Sequence, residues 1–393
     1  MRNLIECKKC LYKEDHPFGI TFKDGICSGC ITHAEKDNLD WVPIQDSLLS
    51  LIYKYKKLSK SHYDCLIPVK GDAEDYFVVS KVLEMDLKPL LVSVNDYFLN
   101  DIGWHNLHNL ITYFDLDSFI YTPNESIYKE LVRTSLRRYM NILLPSHLLF
   151  TSFPVHVAIQ RKIPLIIWGQ LQSVEQVGKF SHLDRVRMSR WNRREHDLFG
   201  QEIDKLIGTG SQLNEDLLDY YKYPRTEEIE RSGLIGIYLS NYLRWDPLWQ
   251  NAESTKFGFK PQKNNSSFDI YERAGSSVYY GLHDLLKMKK LGYRKSTDHL
   301  VREIRHGRIK KVDAKKLLKK YNNSKVSIDD FFDWLEVEES GREWFFKHHL
   351  SDFINLIGSN STSFKIENNI DKHLHRAFKP KSSFIRYGKG ISL

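Results

Sequence analysis

Cysteine is scarce in this chain: five among 393 residues, four of them confined to Cys7-Lys8-Lys9-Cys10 and Cys27-Ser28-Gly29-Cys30. Long apolar runs are missing too. One of the strongest, KIPLIIWG from Lys162 to Gly169, falls well short of the roughly 20 residues that a membrane-spanning helix needs. No apolar leader core follows the start MRNLIECKKC, and no internal repeat is evident. These absences exclude a bilayer span by single-helix hydropathy and set the expectation of a soluble, cytoplasmic protein in a reducing compartment. There, paired cysteines bind metal rather than form disulfides.

The four clustered cysteines are therefore read as a zinc site. Two-residue spacing lets both thiolates of each pair reach one ion, and the 16 residues between the pairs suit a short hairpin that brings them together. Four thiolates leave no open coordination position, so Cys7, Cys10, Cys27 and Cys30 make a structural zinc ribbon rather than a catalytic centre. Cys65 stands apart, within an apolar run, as a small buried hydrophobe. The net charge of +8 favours anionic partners in general without choosing among nucleotides, nucleic acids and acidic surfaces.

The length exceeds what one hydrophobic core usually holds, and the texture of the chain suggests four parts: a ribbon over residues 1–40, an α/β domain over 41–240, a mainly helical region over 241–358 and a basic tail over 359–393. After the ribbon, Ile44, Leu48, Leu49, Ile52 and Tyr55 recur near helical spacing. Apolar strand-like runs follow at Cys65 to Val69, Pro89 to Val94, Ser118 to Tyr121 and Ile163 to Trp168. Helical stretches around Asp75 to Met85, Trp104 to Phe114 and Ser126 to Leu143 separate them. Continuous apolar strands alternating with helices predict a doubly wound parallel sheet with right-handed crossovers. Its cleft lies at the carboxyl ends of the strands, which nominates Lys70 to Asp75, Ser93 to Phe98, Thr122 to Asn124 and Gly169 to Glu175. The arginine-rich SHLDRVRMSRWNRREHD reads as a solvated helix face or a lid.

The ordered features CKKC…GICSGC, YDCLIPV plus a loop, LKPLLVSVNDYFLNDIGWHNLHNL, SFPVHVAIQRKIPLIIWGQ, YLSNYLRWD and GYRKSTDHLVREIRHGRIKK resemble the N-acetyl sugar amidotransferases of bacterial surface-glycan synthesis. The resemblance runs from about Cys7 to Phe346. It implies an adenine-nucleotide-hydrolase-type α/β core of the PP-loop class behind a zinc ribbon, with ATP and Mg as cofactors. The implied reaction adenylates the acetamido oxygen of a nucleotide-activated N-acetyl sugar, after which ammonia displaces AMP and leaves an acetamidino group. Ammonia would come from a partner glutaminase, since no glutaminase signature is visible in this chain; a homo-oligomer is compatible with this role.

The chain departs from that family where ATP should bind. The family's SGGxDS reads Lys70-Gly71-Asp72-Ala73-Glu74-Asp75, so Gly71 alone is retained and Glu74 keeps only the charge. A carboxylate at Asp72 repels phosphate by about 1–4 kcal/mol at ~4 Å, depending on the dielectric. Likewise the family's Gly-Glu-Asn is Gly169-Gln170-Leu171, with Glu175 as the nearby acidic candidate. Three accounts fit: metal ions bridging the carboxylates to a triphosphate, a deliberately altered loop, or a catalytically silent binding or scaffold subunit. The resemblance makes Glu74 and Glu175 the catalytic candidates and Lys70, Gly71, Asp72, Asp75, Asn95, Asp96 and Gly169 the nucleotide candidates. Arg294, Lys295, Asp298, Arg302 and Arg305 are the sugar-phosphate candidates. Plainer readings stand beside these: an N-cap or turn at Asn95 and Asp96, and a salt-laced helix over the arginines. His147 and His156 flank the expected cleft as acid–base groups or packing residues. An RNA-modifying PP-loop protein is a further alternative, disfavoured by the absence of a catalytic cysteine pair outside the ribbon.

Overall fold

A computed structural model describes residues 4–207, 215–263, 266–272 and 277–357; the expected basic tail over 359–393 lies outside the described residues. The chain opens with a small hairpin, β1 (Phe22–Lys23) and β2 (Ile26–Cys27), followed by α1 (Ser28–Glu35) and α2 (Trp41–Leu58). The Asp40 carboxylate caps α2 by accepting from the Val42 N–H at 3.1 Å. Ile44, Leu48 and Ile52, each a turn apart, are its buried residues, as the helical spacing predicts.

A five-stranded parallel sheet then forms from β3 (Cys65–Pro68), β4 (Pro89–Val94), β5 (Ser118–Tyr121), β6 (Leu165–Trp168) and β7 (Ile235–Tyr238), in the spatial order β5-β4-β3-β6-β7. Its crossovers carry α3 (Ala73–Glu84), α4 (Asp101–Tyr113), α5 (Glu125–Tyr139) and α6 (Leu144–Arg161). Shorter α7 (Gln172–Glu175), α8 (Ile203–Ile207) and α9 (Thr226–Ser232) come before β7. Alternation along the strands sends Leu66, Val92 and Ile166 into the core shared with α5 and α6, and Cys65, Ile67, Leu91 and Ile167 into the core beneath α2, α3 and α4. With both faces of β3, β4 and β6 covered, these strands read as unbroken apolar runs rather than alternating ones, while the edge strand β5 stays partly exposed. Cys65 is completely buried, and loss of solvent pushes its thiol pKa upward.

The helix expected over Ser126 to Leu143 ends at Tyr139, and α6, which was not expected, starts just past it at Leu144. Met140 takes a left-handed backbone (φ 51°), and the Asn141 side chain accepts from the Leu143 N–H at 3.0 Å, so the chain turns before α6 begins. The sequence hides α6 because it is apolar on nearly every side and carries Pro154 inside it. A helix buried all round shows no 3.6-residue contrast.

After β7 come α10 (Pro247–Glu253), α11 (Tyr280–Leu291), α12 (Lys295–Arg305), α13 (Lys311–Asn322), α14 (Asp329–Trp334) and α15 (Glu339–Phe345). Leu285, Leu286, Phe331 and Phe332 from this section share the core of the sheet's α5–α6 face. The ribbon is likewise packed rather than appended: Leu11, Tyr12 and the four cysteines form one cluster with Leu300 and Val301 of α12 and Ala314 of α13. Among the described residues no single helix is long and apolar enough to cross a membrane.

Candidate functional site

Strand order reverses between β3 and β6, and ligands of open α/β sheets bind at the carboxyl ends of strands at such a point. A cavity of about 440 Å³ lies there. It is walled by the β3–α3 loop, the segment after β6, α6, the ribbon and α12, and brings together Lys70, Asp72, Glu74, Asp75, Asp96, Gly169, Glu175, Lys295, Asp298 and Arg305 from the expected set. Residues more than 200 positions apart in sequence therefore face one space.

The β3–α3 loop is held shut by its own side chains. Both the Lys70 and the Asp72 N–H groups donate to Asp75 Oδ2, at 2.7 and 3.0 Å. Glu74 Oε1 accepts from the Gln170 N–H at 2.8 Å, tying the loop to the segment after β6. Loss of solvent, helped by Asp72, pushes Asp75 well above the usual carboxylate range against the pull of its two N–H donors. Desolvation first, then the carboxylates of Asp72, Glu272 and Glu175, push Glu74 up to about 7. A triphosphate needs those same loop amides. The residues present do not fit the ATP and Mg site that the resemblance implies.

Gly71 has a different job from the one its place in the motif suggests. It sits at φ 82°, and an added Cβ would fall 2.6 Å from the Leu107 backbone nitrogen, so the glycine lets α4 pack against the loop. Lys70 does reach the cavity wall, its ammonium 3.4 Å from Ser146 Oγ and 4.4 Å from the centre of the Phe150 ring. Ser146 in turn donates to Asp96 Oδ2 at 3.0 Å. Asn95 is buried with its side chain accepting from the Tyr97 N–H at 2.9 Å; this is the turn reading, and Asn95 does not line the cavity. At Gly169 a Cβ would lie 2.0 Å from Glu74 Oε1, so a side chain there would have to displace the Glu74 carboxylate.

Three other expected residues are engaged structurally. Glu175 is buried in an ion pair with Lys36, just past α1 of the ribbon, and Lys36 also donates to the Trp245 carbonyl at 3.0 Å. Arg305 donates to the carbonyls of Glu175 and Gln176 at 3.1 and 2.8 Å and to Cys27 Sγ at 3.8 Å. Its guanidinium thus clamps α7 to the ribbon while the residue also lines the cavity. Arg294 is absent from the cavity wall: fully buried, it donates to the Tyr321 carbonyl at 2.8 Å and to Ser324 Oγ at 2.6 Å, bracing the helices beyond α11. Asp298 does line the cavity and accepts from Tyr12 Oη at 2.8 Å and Lys287 Nζ at 2.7 Å. Burial would raise its carboxyl, but Lys287 and Lys295 hold it down to about 2.

The wall contributed by α12 contains a network that the sequence did not reveal. Glu272 bridges His299 Nε2 and Lys295 Nζ, the latter at 3.1 Å; Ser267 Oγ meets His299 Nδ1 from behind. Arg302 pairs with Asp269 at 2.7 Å. No local pattern marks Glu272, which arrives from a segment preceding α11. The arginine-rich stretch is not a solvated face throughout: Asn192, Arg193 and His196 are buried, and the Arg193 guanidinium lies 3.9 Å over the centre of the Trp168 ring at the end of β6. It pairs with Asp197 at 2.8 Å. His147 lines the cavity, whereas His156 bonds the Lys222 carbonyl at 2.8 Å and does not.

The four ribbon thiols are buried, and their sulfur atoms all lie within 4.8 Å of one another. Sulfurs around a tetrahedral zinc at ~2.3 Å stand about 3.8 Å apart, so the set fits a metal ion such as zinc. The Cys27 N–H donates to Cys7 Sγ at 3.3 Å and Arg305 to Cys27, the outer-shell bonds that offset thiolate charge. Cys7, Cys10, Cys27 and Cys30 would hold the ion, which supplies folding energy to a ribbon with little core of its own.

Residues 254–355 match the model of the C-terminal domain of WbpG-like LPS biosynthesis proteins. No curated protein matches the chain. Among solved structures, the NMN synthetase of Francisella tularensis is 11% identical with a TM-score of 0.28, over 58% of this chain and 99% of that one. The NH3-dependent NAD synthetase of Campylobacter jejuni subsp. jejuni, in complex with the nitrate ion, is 12% identical with a TM-score of 0.30, over 69% of this chain and 95% of that one.

Proposed function

We propose that this chain is a sugar-binding protein of lipopolysaccharide-type surface-glycan biosynthesis, built like the sugar amidotransferases but without an ATP-cleaving loop. Its ligand is a nucleotide-activated N-acetyl sugar. The observation that carries this is the meeting, around one cavity, of Lys295, Asp298 and Arg302 from the segment matched to LPS biosynthesis proteins with the loop at the sheet's switch point. A cavity of about 440 Å³ falls in the range of small-molecule sites. It has hydrogen-bonding groups for sugar hydroxyls along α12, and its lining includes the aromatic rings of Phe150, Trp168 and Tyr271 for a flat base.

A second reading, an active amidotransferase that converts an acetamido to an acetamidino group with ammonia from a partner glutaminase, keeps Glu74 and Glu175 as its catalytic carboxylates. It would need nucleotide activation from outside the β3–α3 loop. Calorimetric titration separates the two. Binding of UDP-N-acetylglucosamine together with no heat from Mg-ATP supports the first reading. Saturable Mg-ATP binding with AMP release in the presence of sugar and ammonium supports the second, and binding of neither ligand removes both.

A further inference from the structure

We propose that the Asp75 carboxyl is a built-in occupant of the β3–α3 loop, the group that closes it to phosphate and so decides which ligands the cavity accepts. Two backbone donors from residues two apart converge on the single oxygen Oδ2, at 2.7 Å from Lys70 N and 3.0 Å from Asp72 N. Asp72 and Asp75 form the capping box of α3, and the loop amides on either side of Gly71, at a helix start where a chain can hold a phosphate oxygen, meet on the Asp75 carboxyl instead. Donors used in this way are not available to a ligand. The loop at the carboxyl end of the sheet's central strand is thus shaped as an anion cradle and filled from within.

The neighbouring contacts act in the same sense. Glu74 takes the Gln170 N–H on the facing loop at 2.8 Å, so the amide opposite the cradle is committed too. The Lys70 ammonium lies against Ser146 and the Phe150 ring rather than over the loop amides. Entry of a phosphate would have to break two Asp75 hydrogen bonds and displace a carboxyl group into a wall that already carries Asp72 and Glu74. The inference rests on loop geometry alone and not on the sugar assignment: failure of UDP-N-acetylglucosamine to bind would leave it standing.

The test is calorimetric titration with Mg-pyrophosphate of the full-length, zinc-loaded protein and of two variants. In Asp75→Asn the side-chain oxygen still accepts the two amides, and affinity is expected to stay within about threefold of the parent. In Asp75→Ala the acceptor is gone, and affinity is expected to rise at least about tenfold, the scale of a charge-assisted contact regained. A folded Asp75→Ala protein, with parental melting and zinc content, that gains no affinity overturns the proposal. So does a parent protein that binds Mg-pyrophosphate and loses it in Asp75→Ala, the result expected if the acidic loop holds phosphate through a metal. Should Asp75→Ala fail to fold, hydrogen exchange on the parent decides. The Lys70 and Asp72 amides are expected to be protected and unchanged by millimolar pyrophosphate, and a change in their protection on adding it overturns the proposal.

Discussion

At the residue scale, the loop shows why a motif comparison and a structure weigh the same residues differently. Gly71 alone survives from the phosphate-binding pattern, yet what demands a glycine there is the backbone of Leu107, which an added Cβ would strike at 2.6 Å. Asp75 looks in sequence like one more phosphate-repelling charge; Asp72 and Asp75 are spaced as the N-cap and N3 of a capping box, but the second amide, that of Lys70, is not marked by that spacing. Glu74 yields a pH prediction. Its carboxyl is raised from 4.5 to about 7 in the folded protein, so the folded state holds the proton more tightly than the unfolded state does. The resulting stabilisation is complete below about pH 4.5 and is lost as pH rises through 7. Glu74→Gln keeps an oxygen for the Gln170 N–H and removes the charge. It is expected to stabilise the protein by roughly 1–3 kcal/mol at pH 8 and hardly at all at pH 4.5. Urea unfolding at the two pH values checks this, and an equal gain at both would contradict the assigned cause.

At the element scale, the alternation of strands and helices was legible because doubly covered strands are apolar throughout, and the two C-x-x-C pairs announced the ribbon. α6 was not legible, for the same reason that it is stable: twelve of its 18 residues are buried, leaving no polar face to set a period. Nor could the sequence tell that the ribbon is a wall of the cavity. Gly29 and Gly178 let the backbones meet, since a Cβ at either would approach a carbonyl oxygen of the other segment at 2.5 Å. The Ser28 hydroxyl donates to the Val177 carbonyl at 2.6 Å across that contact. The sharpest link is Lys36 with Glu175, whose side chains are 1% and 5% exposed. Lys36→Met leaves a buried carboxylate without its cation and is expected to cost about 3–5 kcal/mol. Adding Glu175→Gln to that variant should recover most of the loss, because the charge is then gone from both sides. Urea unfolding of the single and double variants measures the coupling. Because the ion folds the ribbon that carries Lys36, stripping the metal with a chelator should destabilise the parent and the double variant alike.

At the scale of the whole molecule, the cavity does not share the chain's positive balance. The chain carries +8, but the cavity is lined by eight carboxylates against five lysines and arginines. The surplus of positive charge sits elsewhere, for example on the five lysines of α13, Lys311, Lys315, Lys316, Lys319 and Lys320. Composition therefore pointed to anionic partners without being able to say that the cavity itself is acid-rich. A sugar nucleotide brings a diphosphate into that surround, where each unscreened pair of like charges at ~4 Å costs about 1–4 kcal/mol. The ligand should therefore enter as its magnesium complex, with the cation shared between the diphosphate and the wall outside the β3–α3 loop. Titration with UDP-N-acetylglucosamine in buffer freed of divalent ions by resin, which spares the buried cysteine site, is expected to give affinity at least about tenfold weaker than with millimolar magnesium. Calcium, with its longer and less regular oxygen contacts, should restore less of it. An affinity unchanged or lowered by magnesium would mean that the sugar nucleotide's diphosphate does not face these carboxylates, and would move the ligand's phosphates out of the cavity at the switch point.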